Sequence, residues 1–523
     1  MAAEEPVGPG VGEAGSGEAA TALRQAGAAE GSITEIGGGA VGIRAGKRWE
    51  VLAWAPRGAA SPKGITGASS EKAGGTLITG PADHANAVAL RALIPSLRPR
   101  LLGGATSAGV GDRLGIATPG HVAAFRVNPG IVPVLAQQSA RELARTGRTF
   151  RDVVDAATFG ALAAGWREGF GADADHLKTI ADIDAGIDAG CTMFTADPVE
   201  LVPHLPADAP QAAIDGAFAA VPWAALEDDP AAFMTRYPAR LDLDSGPLEL
   251  PPAALHAAAA RFGAAVVQVA KMYRHLAAAR PAGSFEFEVA VDEIEHRTTP
   301  IDHVYLATEL HRLGVRWESF APRFVGDFEK GIDYVGDKAE FAADVEIHAA
   351  IARHLGDYKL SVHSGSDKFS IYDAVAKATR GRVHLKTSGT SYLVALQTIA
   401  AADPELMRRI WRVALDAYTT ARASYHVSAT AAGAPSPEGA SPQVLAGLLD
   451  DPHTREILHV TYGAVLHGDG ASGAGDPRLG DDLRAAVWTR REAYWAALEV
   501  HIGRHLRPFS GAGGGPVTKG ATR

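Results

Sequence analysis

From about residue 100 the chain repeats one pattern: a short apolar run, a polar or glycine-rich ending, then a long stretch rich in Ala, Leu, Arg and Glu. Short apolar runs bounded by turn residues read as buried strands, and the long amphipathic stretches read as helices. About seven or eight candidate strands fall between residues 100 and 465. Strands alternating with helices predict a parallel α/β sheet. In a (β/α)8 barrel the loops after the strands form one face and carry the chemistry. That accounts for a polar cluster just after each apolar run. The expected fold is therefore α/β: a TIM-like (β/α)8 barrel with an N-terminal β-containing extension and extra C-terminal helices. A doubly wound open sheet is the alternative. Its supporting motif is weak: Gly37–Gly42 (GGGAVG) matches G-x-G-x-x-G, but a strand pattern follows where a dinucleotide site needs a helix.

The same pattern divides the chain. Residues 1–30 are Gly, Ala and Glu with few large apolar side chains, and are predicted to be a disordered tail. Residues 31–99 contain β-like pieces, Arg48–Trp54 the clearest, and form an extension expected to pack on the barrel. The barrel is assigned to 100–465, with a Pro/Ala/Asp-rich insertion at about 203–260. A helix is expected at 131–145 and a last strand at Ile457–Gly463. Residues 466–509 are a helical segment and 510–523 a Gly-rich tail predicted to be disordered.

Composition narrows the function. The 523 residues are 46% hydrophobic, enough for a large core. A formal charge of −10 argues against a nucleic-acid surface but leaves room for a local basic pocket. The lone Cys191 excludes intramolecular disulfides and cysteine zinc clusters. No uninterrupted apolar run approaches a membrane span, and no signal-peptide pattern opens the chain, so a cytoplasmic location with no membrane partner is expected. Homo-oligomerisation is left open.

The densest cluster is Ser361–Ser370 (SVHSGSDKFS), which follows a β-like stretch from Tyr358. It holds an imidazole, a carboxylate, an ammonium and four hydroxyls around one glycine. Such a density suits a reactive site, although a polar turn capping a helix at Ser370 reads equally from this stretch alone. His176, Asp292, Glu293, His363 and His384 sit at or beside strand ends and are the candidate metal ligands. Imidazole with carboxylate suits Mn, Fe, Ni or Zn. Without a local His-Glu-x-x-His motif, ligands must converge from different strands, which barrels arrange routinely. Glu288 lies deeper and reads as a group supporting a ligand. Arg113, Arg323, Lys330 and Lys386, with Ser364, Ser388 and Thr390, are candidate substrate binders. Asp175, Lys178, Asp367 and Lys368 are candidate proton-transfer groups. Each charged group has an ordinary alternative as a surface ion pair or a hydrogen-bonded buried residue.

Five motifs in one order carry a resemblance: Gly109–Gly115 (GVGDRLG), Asp173–Thr179 (DADHLKT), Ala321–Gly326 (APRFVG) with Lys330–Tyr334 (KGIDY), His363–Ser370 (HSGSDKFS) and Lys386–Tyr392 (KTSGTSY). Over about residues 100–430 the chain resembles the tagaturonate epimerase family, whose relatives include tagatose 4-epimerases. The resemblance implies a barrel fold and a divalent-metal-dependent interconversion of D-tagaturonate and D-fructuronate, with no NAD. The substrate so implied is an anionic sugar, a keto acid with its ketone at C2, its carboxylate at C6 and the inverted centre at C4. The C4 hydrogen is not α to the ketone, so enolisation alone cannot remove it. Retro-aldol cleavage of C3–C4, or migration of the carbonyl followed by proton transfer, remain as routes. Other readings are another divalent-metal sugar isomerase or aldolase, a ketohexose 4-epimerase, or a sugar-acid-binding pseudoenzyme.

Overall fold

The computed structural model describes residues 17–511 except 73, 207, 469–475 and 477. The tails expected at 1–16 and 512–523 lie outside the described residues. Two compact units emerge: residues up to Arg98 with Asp155–Gly169, and Pro99–Val154 with Phe170 onward.

The first unit is built on an antiparallel sheet. Its strands are β1 (Thr34–Ile36), β2 (Gly39–Ala45), β3 (Trp49–Pro56), β4 (Ala68–Lys72) and β5 (Gly75–Pro81), in spatial order β1-β2-β3-β5-β4. Gly37 and Gly38, both at positive φ, form the two-residue turn that pairs Ile36 with Gly39. The G-x-G-x-x-G match is thus a hairpin and not a dinucleotide loop. Part of the expected N-terminal tail is ordered: Glu18–Gln25 is a helix whose Ala19 and Leu23 pack on Ala40, Leu52, Trp54 and Leu77. Composition missed this because one buried leucine and two alanines suffice for a helix that has a sheet to cover.

The second unit is a closed parallel barrel. Its strands are β6 (Ser107–Val110), β7 (Val132–Ser139), β8 (Gly171–Leu177), β9 (Met193–Ala196), β12 (Glu286–Ala290), β13 (Ser319–Ala321), β14 (Lys359–Val362) and β15 (Val383–Thr387). The hairpin β10 (Arg240–Leu243) and β11 (Gly246–Glu249) and the helices Gln211–Ala219 and Pro230–Arg236 occupy the stretch between β9 and β12. The pairing runs in sequence order from β6 to β9, then β12 to β15, and β15 returns to β6. Capping boxes start the helices after β7, β8 and β12, at Ser139–Glu142, Thr179–Asp182 and Thr299–Asp302. Among the described residues the 28-residue helix Pro252–Ala279 is the one long and apolar enough to cross a membrane, and 61% of its most apolar window is buried within the fold.

Two expected elements differ. Residues 131–145 are not one helix but β7 followed by helix Ala140–Thr146. The Val132–Val134 run is buried in the barrel, and parallel pairing on both sides overrides its helix-like neighbours. Ile457–Gly463 is not a strand. Asp451 caps a helix Pro452–Val460 with Pro452 in its first turn, and the barrel has already closed at β15. From Thr390 to Phe509 the described residues contribute helices only, so the barrel strands end at Thr387 instead of near residue 465.

Candidate active site

The inward positions of the barrel are polar where many barrels are filled by aliphatic side chains. Alternation along β12 and into its loop points Glu286, Glu288 and Asp292 to one side, and along β14 does the same for Lys359, Ser361 and His363. Alternation along β8 points Asp173 and Asp175 inward and would send His176 outward. It does not, because β8 carries a bulge: Ala174 pairs with Phe194 and Leu177 with Ala196, so three steps face two. His176 sits at φ +50° and its ring turns to lie 4.9 Å from that of His363.

Lys386 is the hub below this pair. Its buried ammonium donates to Asp175 Oδ1 at 2.7 Å and Thr195 Oγ1 at 2.8 Å, and is ion-paired with Asp173 Oδ2 at 2.8 Å and Glu288 Oε1 at 2.6 Å. Burial alone would discharge it, and the three carboxylates instead raise its pKa well above the ordinary value. Burial also pushes the Asp173 carboxyl up to about 6 against the pull of Lys386. For Asp175 and Glu288, burial is outweighed by Lys386 and the nearby imidazoles, and both carboxyls stay below their usual range. Gln137 donates a further bond to Asp175 at 2.9 Å.

His363 Nε2 lies 2.7 Å from Glu288 Oε1, which sets the tautomer and leaves the Nδ1 lone pair facing Asp292 Oδ1. Those two atoms are 2.9 Å apart, and both are buried without a hydrogen-bond partner among the described residues. His176 Nδ1 lies 3.1 Å from Asp197 Oδ2, leaving Nε2 to face the mouth. One donor atom each of His176, Asp292 and His363 lies within 4.8 Å of the others. Ligands about 2.1 Å from a shared ion stand up to about 4.3 Å apart. Two imidazoles and a carboxylate with converging lone pairs therefore fit a divalent first-row metal. Burial would keep both imidazoles neutral, but the carboxylates outweigh it and raise His363 to about 9 and His176 to about 10. A field that strongly favours protons here equally favours a cation in their place.

Above the cluster lie two lobes that share Glu293, Lys330, His363, Ser364 and Tyr425 as walls. Arg113, Asp175, His176, Lys386 and Ser388 line the first, and Asp292 and Arg323 line the second. Lys330 donates to Ser364 Oγ. Arg113 is spent on Glu142 at 2.7 Å and lies 3.6 Å over the Tyr462 ring. Arg323 has only a 3.9 Å approach to Asp327.

Five of the sequence-derived residues line neither lobe. Lys178 pairs with Glu200 at 2.5 Å on the surface. The Lys368 ammonium is buried among the carbonyls of Glu329, Ile332 and Ser366, so it straps the loop that carries Lys330. Burial brings it down to about 8. Asp367 is taken up by His501 at 2.9 Å, by Arg455 at 3.2 Å and by Thr390. His384 lies deeper, bonded through Nδ1 to Ser107 Oγ at 2.9 Å, and burial lowers it to about 3. These placements leave Lys178, Lys368 and Asp367, expected as proton-transfer groups, Thr390, expected as a sugar contact, and His384, expected as a ligand, outside both lobes. In each case the functional atom already has a partner that the sequence does not reveal, or points below the mouth. Sequence reasoning missed Gln137, Ser139, Arg141 and His459, all in the first lobe. The signal for the first two was the polar end of an apolar run, hidden by reading 131–145 as helix. His459 arrives from the C-terminal helices and had no local signal.

A closed parallel barrel whose mouth gathers imidazoles, carboxylates and cations around a small cleft defines a (β/α)8-barrel enzyme for small polar molecules. The tagaturonate epimerase family matches residues 46–509, and the chain belongs to that family, which makes it an enzyme of the isomerase class. It is 40% identical over 441 residues to the tagaturonate/fructuronate epimerase of Thermotoga maritima, covering 82% of this chain and 86% of that protein. The crystal structure of the fructuronate-tagaturonate epimerase UxaE from Cohnella laeviribosi superposes with a TM-score of 0.83 at 33% identity, covering 94% of this chain and 99% of that one. A structure of the Cohnella protein with two glycerols superposes with a TM-score of 0.85.

Proposed function

We propose that the protein interconverts D-tagaturonate and D-fructuronate by inverting C4, with a divalent cation held by His176, Asp292 and His363. The observation that carries this reading is the convergence of those three side chains at the floor of a cleft that also presents cationic groups. When bound, the cation supplies Lewis acidity toward the ketone oxygen. Glu288 and Asp197 hold the two imidazoles in orientation. Lys386 and Gln137 hold Asp175 ionised beside the first lobe, where it accepts a hydrogen bond from a sugar hydroxyl. Ser364, Ser388 and Lys330 orient hydroxyls, and Lys330 adds positive charge where the two lobes meet.

The test is incubation of purified protein with D-tagaturonate and Mn²⁺, Ni²⁺ or Zn²⁺, with product stereochemistry read by NMR and a chelator control. Appearance of D-fructuronate supports the reading, and turnover of D-tagatose but not tagaturonate would replace it with a neutral-sugar epimerase. Three-carbon products would indicate an aldolase. The same reaction in D₂O separates the routes: retro-aldol cleavage keeps the C4 hydrogen on carbon, whereas deprotonation at C4 brings in deuterium.

A further inference from the structure

Arg141 opens the helix after β7, inside the capping box, and lines the first lobe. Its guanidinium forks Glu293, with Nη2 at 2.5 Å from Oε1 and Nη1 at 3.1 Å from Oε2. It lies 5.1 Å from the centre of the Tyr425 ring, a wall of both lobes. Its Nε–H is buried and meets no acceptor among the described residues. An unsatisfied buried donor on a charged group is costly, so an acceptor for it belongs to this site. The other buried cations of the first lobe differ. Arg113 sends Nε and Nη2 to Glu142, and Lys386 is held by three carboxylates.

Glu293 is placed between Arg141 and His176. It follows Asp292 in the chain, and besides Arg141 it has a donor atom within 4.8 Å of those of His176 and Asp197. Glu293 can therefore leave Arg141 and still lie within reach of the His176 ring.

Building on the ketohexuronate reading above, we propose that Arg141 is the specificity element of the site: the substrate carboxylate docks on the guanidinium edge that carries the unmatched Nε–H and takes Nη2 from Glu293, and the released Glu293 swings toward His176 to serve as a proton acceptor over the sugar. One carboxylate exchanges for another on the same planar guanidinium, so Arg141 stays paired before and after. A neutral ketose brings no carboxylate and leaves Glu293 clamped. Binding energy from the non-reacting end of the substrate is thereby converted into assembly of the reacting end.

The test uses metal-loaded enzyme with D-tagaturonate and with D-tagatose, its neutral counterpart. In wild type, added formate supplies the missing carboxylate and raises kcat/KM for tagatose several-fold. In Arg141→Gln the ratio of kcat/KM for tagaturonate to that for tagatose falls about 100-fold, formate activation disappears, and Arg141→Lys recovers only part of the ratio. Formate that leaves wild-type tagatose turnover unchanged or inhibits it, or an Arg141→Gln variant that loses the same factor on both substrates, overturns the proposal. The formate experiment needs no variant to fold. If wild type turns over tagatose but not tagaturonate, the uronate reading itself fails. If it turns over both without a formate response, only the exchange fails.

Discussion

Replacing Lys386 by Met removes the cation that neutralises Asp173, Asp175 and Glu288 while keeping the length of the side chain. Each contact is 2.6–2.8 Å and all four side chains are buried. Breaking a buried ion pair from one side costs about 3–5 kcal/mol because it strands the partner charge. Three partners are stranded here, but Asp173 already titrates at about 6 and takes up a proton readily, while Gln137, Thr195 and Ser319 still donate to the carboxylates. The lower end, about 3 kcal/mol, is the expectation near pH 6, rising toward 5 kcal/mol at pH 8. With an unfolding entropy of about 2.1 cal/mol/K per residue over 523 residues, that is a fall in Tm of about 3–5 °C. In the variant the carboxyls have folded pKa values above their unfolded ones, so stability is lost as pH rises through that window. Differential scanning calorimetry of both proteins from pH 5.5 to 8 reads the effect, and Asp173→Asn added to the variant recovers part of the loss. A variant as stable as wild type at pH 8, or a deficit that grows on acidification, would refute the hub.

The remaining expectations follow from other contacts. His363→Ala and His176→Ala lower the metal-to-protein ratio measured by mass spectrometry of the purified protein, whereas Glu288→Gln keeps the ligands and weakens metal affinity about 10–100-fold; equal metal content in all three would remove the proposed site. Burial and Glu329 push the Glu456 carboxyl up to about 8, so wild-type stability falls as pH rises from about 4.5 to 8. Glu456→Gln removes that slope, gaining about 1 kcal/mol on wild type at the alkaline end, and parallel Tm-against-pH curves would exclude the pair. A Cβ on Gly389 would stand 2.0 Å from His459 Nε2, so Gly389→Ala displaces this wall of the first lobe and lowers kcat/KM at least tenfold, with Tm recorded alongside to detect loss of fold.

Much of the architecture was legible locally. Strand-and-helix alternation needs only period and punctuation. The misreadings at 131–145 and 457–463 share a cause. Both are short apolar stretches whose state was chosen by neighbours in space: β6 and β8 claimed the first, and a barrel already closed had no place for the second.

By itself the sequence determined the barrel class and part of the set of chemical groups at its mouth, together with the family resemblance carried by five ordered motifs. Tertiary structure decided which groups meet. Period 2 assigns a residue to a face, but only the bulge in β8 turns His176 toward His363. Only barrel closure brings β8, β12 and β14 to one floor. Whether a charge remains available depends on partners remote in sequence: Lys368 is consumed by three carbonyls and Asp367 by His501 and Arg455, whereas Arg141, unremarkable in the sequence, keeps an unmatched N–H in the cleft. Electrostatic neutralisation acts over a few ångströms of space with no regard for chain order, so composition names the actors and only the fold says which of them are free.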